Sequence, residues 1–193
     1  MTAGSEQQFD PLGVLAALER HYVSYVVIGG LAQVLRGADL VSTGVDICPS
    51  FAKNNLDQLT ASITELDATV IAGRRVVLDE LTLTREPVID VVTRAGALKV
   101  IASPAGVPNG YVDLRRAASR EDLGHGVRPL VASAGDLAAM AAALGRVSDL
   151  ERLAALRRIV ELDAGRPGPP EPAATATPTR PSPATRRAPR ATR

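Results

Sequence analysis

Apolar positions along this chain recur with two spacings, and the switches between them predict an order of elements. Asp10-Pro11 reads as an N-cap followed by proline at the first helical position, opening an amphipathic helix to about Arg20 with Leu12, Leu15, Ala16 and Leu18 largely on one side. Tyr25 to Ile28 is a short β-branched run ending at Gly29-Gly30, the pattern of a buried strand. Leu31 to Arg36 suits a helix closed by Gly37, and Val45 to Cys48 returns as a strand stopped by Pro49. Ser50 can cap a helix from about Ala52 to Leu66, where Leu56, Leu59, Ile63 and Leu66 recur at helical spacing. Strand-like runs follow at Ala68 to Ala72, Arg75 to Leu78, Leu81 to Thr84 and Val88 to Thr93. A Gly- and Pro-bearing stretch, Ser103 to Gly110, precedes a short helix near Val112 to Ala118, and Val127 to Val131 offers one more strand. Ser133 with Asp136, and Ser148 with Glu151, then give two capping-box-like openings for helices to Leu144 and about Leu162. Strands interleaved with helices and a helical C-terminal part predict an α/β or α+β domain with a small mixed sheet.

Composition sets the limits of that domain. The 193 residues are 46% apolar and 22% charged, enough for one sizeable core, with a remainder too short for a second ordinary domain. After Ala164 the composition shifts: eight of the 14 prolines fall in Gly165 to Arg193, beside threonine, alanine and arginine. Such a stretch buries too little apolar area to offset its ordering entropy, which predicts a body of residues 1–164 and a disordered tail of residues 165–193. The tail holds six arginines and one acid, a net +5, and the body holds 16 bases and 20 acids, a net −4. A uniformly basic nucleic-acid-binding domain is therefore excluded, while the tail reads either as a solvated extension or as an electrostatic arm toward RNA or another polyanion.

One cysteine, Cys48, excludes an intramolecular disulfide and fits a reducing compartment. Met1 to Asp10 lacks a basic and apolar leader pattern, and no run approaches the ~20 apolar residues that span a bilayer, so the expectation is a cytoplasmic protein without a membrane partner. With no Trp, two Phe and three Tyr, the core must come from Leu, Val, Ile and Ala, and aromatics do not interleave with basic residues along the sequence. His21 and His125 have no second ligand at metal spacing, and no nucleophile-elbow pattern supports a hydrolase.

The candidate chemistry lies in residues 26–50, VVIGGLAQVLRGADLVSTGVDICPS. A glycine pair where a strand turns into a helix lets backbone N–H groups approach a triphosphate. An acid on the next strand, Asp46, can hold Mg²⁺, which would bridge phosphate oxygens. Asp46 between Val45 and Ile47, and Asp90 between Ile89 and Val91, are charges inside apolar strands. Each needs either a ligand or a structural partner such as an arginine.

These residues also resemble the DNA-polymerase-beta-like nucleotidyltransferase superfamily, in particular the minimal branch that includes AbiEii-type toxins of toxin–antitoxin pairs. That pattern has an apolar strand, Gly-Gly or Gly-Ser, about ten residues, then Thr-Arg-Asp-x-Asp; here Gly29-Gly30 is followed by Ser42-Thr43-Gly44-Val45-Asp46. The resemblance continues through LTLTREPVIDVVTR, NGYVDLRRA and VASAGDLAAMAAALGRVSDLERLAAL, covering roughly residues 10 to 162. It implies a nucleotidyltransferase fold and Mg²⁺-dependent transfer of a nucleotide from a nucleoside triphosphate to an acceptor such as tRNA or a protein hydroxyl, with an antitoxin as a further partner. Asp46 and Asp90 would be the catalytic metal ligands, and Gly29, Gly30 and Thr43 the nucleotide-binding residues. Two positions depart from the pattern: Gly44 stands where the first acid of the pair belongs, and Ala141 where the closing helix carries a lysine. A metal ligand and a phosphate-contacting cation are thus missing, so nucleotide binding is expected to survive better than turnover. The alternative implied is a catalytically degenerate member that binds a nucleotide or a partner.

Overall fold

The computed structural model describes residues 9–70, 78–145, 154 and 156–161. The tail of residues 165–193, the 148–151 capping signature, Arg146 and most of the proposed Arg75–Leu78 strand lie outside them.

Three α-helices lead the chain and alternate with strands. Helix α1 (Pro11–Arg20) starts on Asp10, whose Oδ1 accepts from Gly13 N at 2.9 Å, and it buries Val14, Leu15 and Leu18. Strand β1 (Tyr25–Ile28) is buried along its whole length. Helix α2 (Gly29–Leu35) begins on the glycine pair itself, two residues earlier than apolar spacing indicated. Its end is tied down by Arg36, which donates to the carbonyls of Ala132 at 2.9 Å and Val131 at 2.6 Å and pairs with Glu121. Strand β2 (Gly44–Pro49) runs through Pro49 as its last residue, and α3 (Lys53–Glu65) follows. Ser50 is not the N-cap of α3: Ala52 is, with no side-chain cap bond of its own, and Ser50 Oγ accepts from Ala52 N at 3.4 Å just ahead of the helix.

Strand β3 (Thr69–Val70) leads across residues 71–77 to α4 (Glu80–Arg85), where Leu81–Thr84 had the alternation of a strand. The correction has a local cause. Asp79 caps the first turn, accepting from Thr82 N at 2.7 Å, and Thr84 Oγ1 donates to Glu80 O at 2.7 Å one turn back. Strand β4 (Val88–Thr93) and β5 (Gly96–Ile101) form a tight hairpin, and β5 has no counterpart in the elements expected from the sequence. Then come α5 (Tyr111–Ala117), β6 (Ser119–Arg120), β7 (Leu130–Val131) and α6 (Ala134–Leu144). The strand expected over Val127–Val131 is confined to its last two residues. Ser133 caps α6 as its sequence pattern indicated, its Oγ accepting from Asp136 N at 3.1 Å and donating to Asp136 Oδ2 at 2.7 Å. Residues 156–161 are helical, and Leu156 reaches the core.

The seven strands form one mixed sheet in the order β3-β4-β5-β2-β1-β7-β6, with β5–β2 and β1–β7 parallel and the other pairs antiparallel. Helix α1 packs on α3 and against β2 and β5, while α2 packs on β1, β2 and α6. Val45, Ile47, Leu98, Val100, Ile89 and Val91 alternate onto one buried face of the central strands. The residues between them form the opposite face. Among the described residues, no helix is long and apolar enough to cross a membrane.

Candidate functional site

Register brings three charged residues into one row. Asp46 on β2 is opposite Ile28, the last residue of β1, and on its other side opposite Lys99 of β5; Lys99 is in turn opposite Asp90 of β4. Registered residues on neighbouring strands point to the same face, so Asp46, Lys99 and Asp90 stand side by side on the face away from the buried Val45/Ile47 set. Lys99 Nζ is 3.3 Å from Asp90 Oδ1, and both side chains are well exposed.

Asp46 differs from Asp90 in its surroundings. It is half-buried between Val45 and Ile47 and makes no side-chain hydrogen bond among the described residues, and its carboxylate lies against Gly29. A Cβ on Gly29 would come within 2.0 Å of Asp46 Oδ2, and Gly29 has φ +67°, so glycine is required there twice over. Burial pushes the Asp46 pKa above the usual aspartate value; Lys99 opposes that rise and Asp90 adds to it. Asp90 is on the exposed face of an alternating strand, with Val88 and Val92 exposed beside it. Its apolar neighbours in sequence therefore do not bury it.

Two adjoining clefts share Asp46, Lys99 and Gly30. The first, about 320 Å³, has Gly29, Gly30, Asp46 and Lys99 on one side and Leu137, Met140, Ala141 and Leu144 of α6 on the other. The second, about 330 Å³, is formed by the Leu40–Gly44 loop, Asp90 and the start of β5, and it contains Thr43. Every residue assigned from the motif, Gly29, Gly30, Thr43, Asp46 and Asp90, thus lies at one of these two openings. Ala141 of α6 also lines the first cleft, across from the glycine pair. Both volumes fall at the small end of ligand clefts.

Two residues of this site had no place in the motif. Lys99 has the same signature that singled out Asp46, a charge flanked by apolar residues in a strand, but β5 itself went unseen. Gln33 of α2 is 7% exposed and lines the 320 Å³ cleft, and its Oε1 is buried without a hydrogen-bond partner among the described residues. Such an orphaned acceptor costs about 1–3 kcal/mol. Only the packing of α2 against α6 and the sheet reveals it.

Asp46 and Asp90 could share an Mg²⁺ ion only across Lys99, which occupies the same row. The two acids are two strands apart, roughly 10 Å between backbones at ~4.8 Å per strand, and Lys99 holds the register position between them. Among the described residues, no group of three or more His, Cys, Asp and Glu side chains converges as a metal site. Gly44 leaves little space for a side chain, since a Cβ there would lie 3.3 Å from both Cβ and the carbonyl oxygen of Ala97.

No family model matches the chain, and no curated protein matches it. Among solved structures it is similar to a candidate nucleotidyltransferase from Thermotoga maritima, at 17% identity and TM-score 0.49 over 77% of this chain and 89% of that one. The antibiotic-resistance factor ANT(2'')-Ia is similar in its solution structure, at 13% identity and TM-score 0.43 over 79% of this chain and 92% of that one. Its crystal structure with adenylyl-2''-tobramycin gives 12% identity and TM-score 0.43 over 79% and 95%.

Proposed function

We propose that the protein is a nucleotidyltransferase-like nucleotide-binding module whose phosphate contact is supplied by Lys99 rather than by a shared metal ion. The observation that carries this reading is the presence of Lys99 in the same cleft as Gly29-Gly30, Asp46 and Ala141. The cation absent from α6 has a substitute across the opening. Its pairing with Asp90 is solvent-exposed, and such pairs are worth only about 0.2–1 kcal/mol, so an incoming phosphate can draw the ammonium away at small cost. The apolar side of the cleft, Leu137, Met140 and Leu144, suits a base or ribose ring, and Gln33 and Asp46 are acceptors for its N–H or O–H donors.

Calorimetric titration of the full chain with each of the four ribonucleoside triphosphates, in EDTA and then in Mg²⁺, tests the reading. The expected result is binding that persists in EDTA and weakens about tenfold in Lys99→Ala, the worth of one charged hydrogen bond. Failure of all four to bind, or binding that requires Mg²⁺, overturns it. Transfer of nucleotide label to RNA or protein, lost in Asp46→Ala, would replace it with the enzyme reading, in which Asp46 holds Mg²⁺ with the nucleotide's own oxygens as further ligands.

A further inference from the structure

All three tyrosines of this tryptophan-free chain, Tyr22, Tyr25 and Tyr111, line one cleft of about 270 Å³, together with Arg115, Arg120 and Glu19. They come from the end of α1, the start of β1, α5 and β6. This cleft is at the opposite end of β1 from Asp46, since β1 begins at Tyr25 and Asp46 pairs with Ile28 at its other end.

Tyr22 is the most unusual residue in it. Where α1 ends, Tyr22 N donates to Glu19 O and Val23 N to Leu18 O, a helix stop whose left-handed position is normally filled by glycine or asparagine. Tyrosine fills it here, at φ +54° and 82% exposed. The side chain therefore incurs backbone strain without the compensation of burial, which packing alone does not explain. Arg115, in the last turn of α5, makes no ion pair or side-chain hydrogen bond among the described residues. Arg120 donates through Nη1 to the Arg128 carbonyl at 2.7 Å, and no carboxylate neutralises its charge among the described residues. The Tyr25 hydroxyl donates to Glu19 Oε1 at 3.1 Å, which holds that carboxylate at the cleft wall.

We infer that this cleft binds a nucleotide, with its base stacked on Tyr22 and Tyr111 and its phosphate held by Arg115 and Arg120. Tyrosine faces stack any base, guanidinium groups take phosphate oxygens, and Glu19 is an acceptor for a ribose hydroxyl. The nucleotide is either an unpaired residue of an RNA strand or a free mononucleotide, because both present the same base, ribose and phosphate. This inference does not depend on the Asp46–Lys99 cleft.

Fluorescence anisotropy of the full chain with a labelled decauridylate at ~0.15 M salt, in competition with UMP and with a deoxy decamer, is the test. Wild type binds, and Tyr22→Gly and Arg115→Ala each weaken binding about tenfold, within the range of one lost stacking or charged phosphate contact. Tyr22→Phe retains it, because the ring that stacks is kept. Tyr22→Gly leaves the net charge untouched, so any loss comes from the cleft and not from the arginine-rich residues beyond 164. Its melting temperature stays at or above that of wild type because glycine relieves the positive φ. Competition by UMP assigns the site to the free nucleotide, and its absence assigns it to the strand. The inference is overturned if wild type binds neither RNA nor UMP, or if Tyr22→Gly binds within twofold of wild type.

Discussion

The two ends of β1 open onto clefts built on opposite principles. At the Ile28 end, charges stand beside charges of opposite sign: Lys99 is flanked by Asp46 and Asp90 on adjoining strands and is paired with Asp90. At the Tyr25 end, two arginines without an ion pair among the described residues and an exposed, strained tyrosine share the cleft with Glu19, whose carboxylate is held by Tyr25. The first arrangement suits a ligand that competes with an existing ion pair. The second holds its binding groups ready, at a cost in backbone strain. Self-neutralisation favours stability and weakens attraction for ligands, whereas uncompensated charge does the reverse.

The contrast breaks most severely at Gly29. Gly29→Ala places a Cβ on the Asp46 carboxylate at positive φ, and the expected loss is roughly 3 kcal/mol, or a Tm lower by roughly 10 °C in thermal denaturation. The double variant Gly29→Ala/Asp46→Ala recovers the steric share and not the φ share. Full additivity of the two substitutions would mean that the contact is not made.

Lys99→Ala sharpens the contrast by removing the central cation. Nucleotide affinity in the Asp46 cleft falls about tenfold, while Tm moves by less than about 2 °C because the pair is exposed. A large loss of stability would show the ion pair to be structural. Asp46→Asn acts in the other direction. Burial raises the Asp46 pKa, so the folded chain holds this proton more tightly than the unfolded chain, and the charged carboxylate penalises the fold above its raised pKa. The penalty fades as pH falls and vanishes below the ordinary aspartate range. Asp46→Asn should therefore raise Tm by about 2 °C at pH 7 and leave it unchanged near pH 3, read by calorimetry across that range. The smallest effect is expected at the other end of β1, where Tyr22→Gly should raise Tm by about 1–2 °C. A fall instead would show that Tyr22 packs rather than presents its ring.

Much of this was legible in the chain because it is local. The Asp10-Pro11 opening, the Ser133/Asp136 cap and the buried run of β1 are each set by side chains within a few residues, and each lies where the pattern indicated, while the Gly29-Gly30 pair is the start of α2 rather than a turn before it. Two elements misled for local reasons as well: alternation in Leu81–Thr84 imitates a strand that Asp79 turns into a helix, and a lysine at the centre of β5 disguises a sheet strand.

The amino-acid order alone determined which residues could form the glycine-pair site, and that residue 44 is glycine and residue 141 alanine. Those are covalent facts, visible without folding. Tertiary structure decided the neighbours. Strand order inserted β5 between β2 and β4 and so set Lys99 between the two acids, and α1, β1, α5 and β6 brought tyrosines and arginines nearly a hundred positions apart into one cleft. Pairing register and helix packing act across loops of any length, and sequence spacing carries no record of which distant strands will lie side by side.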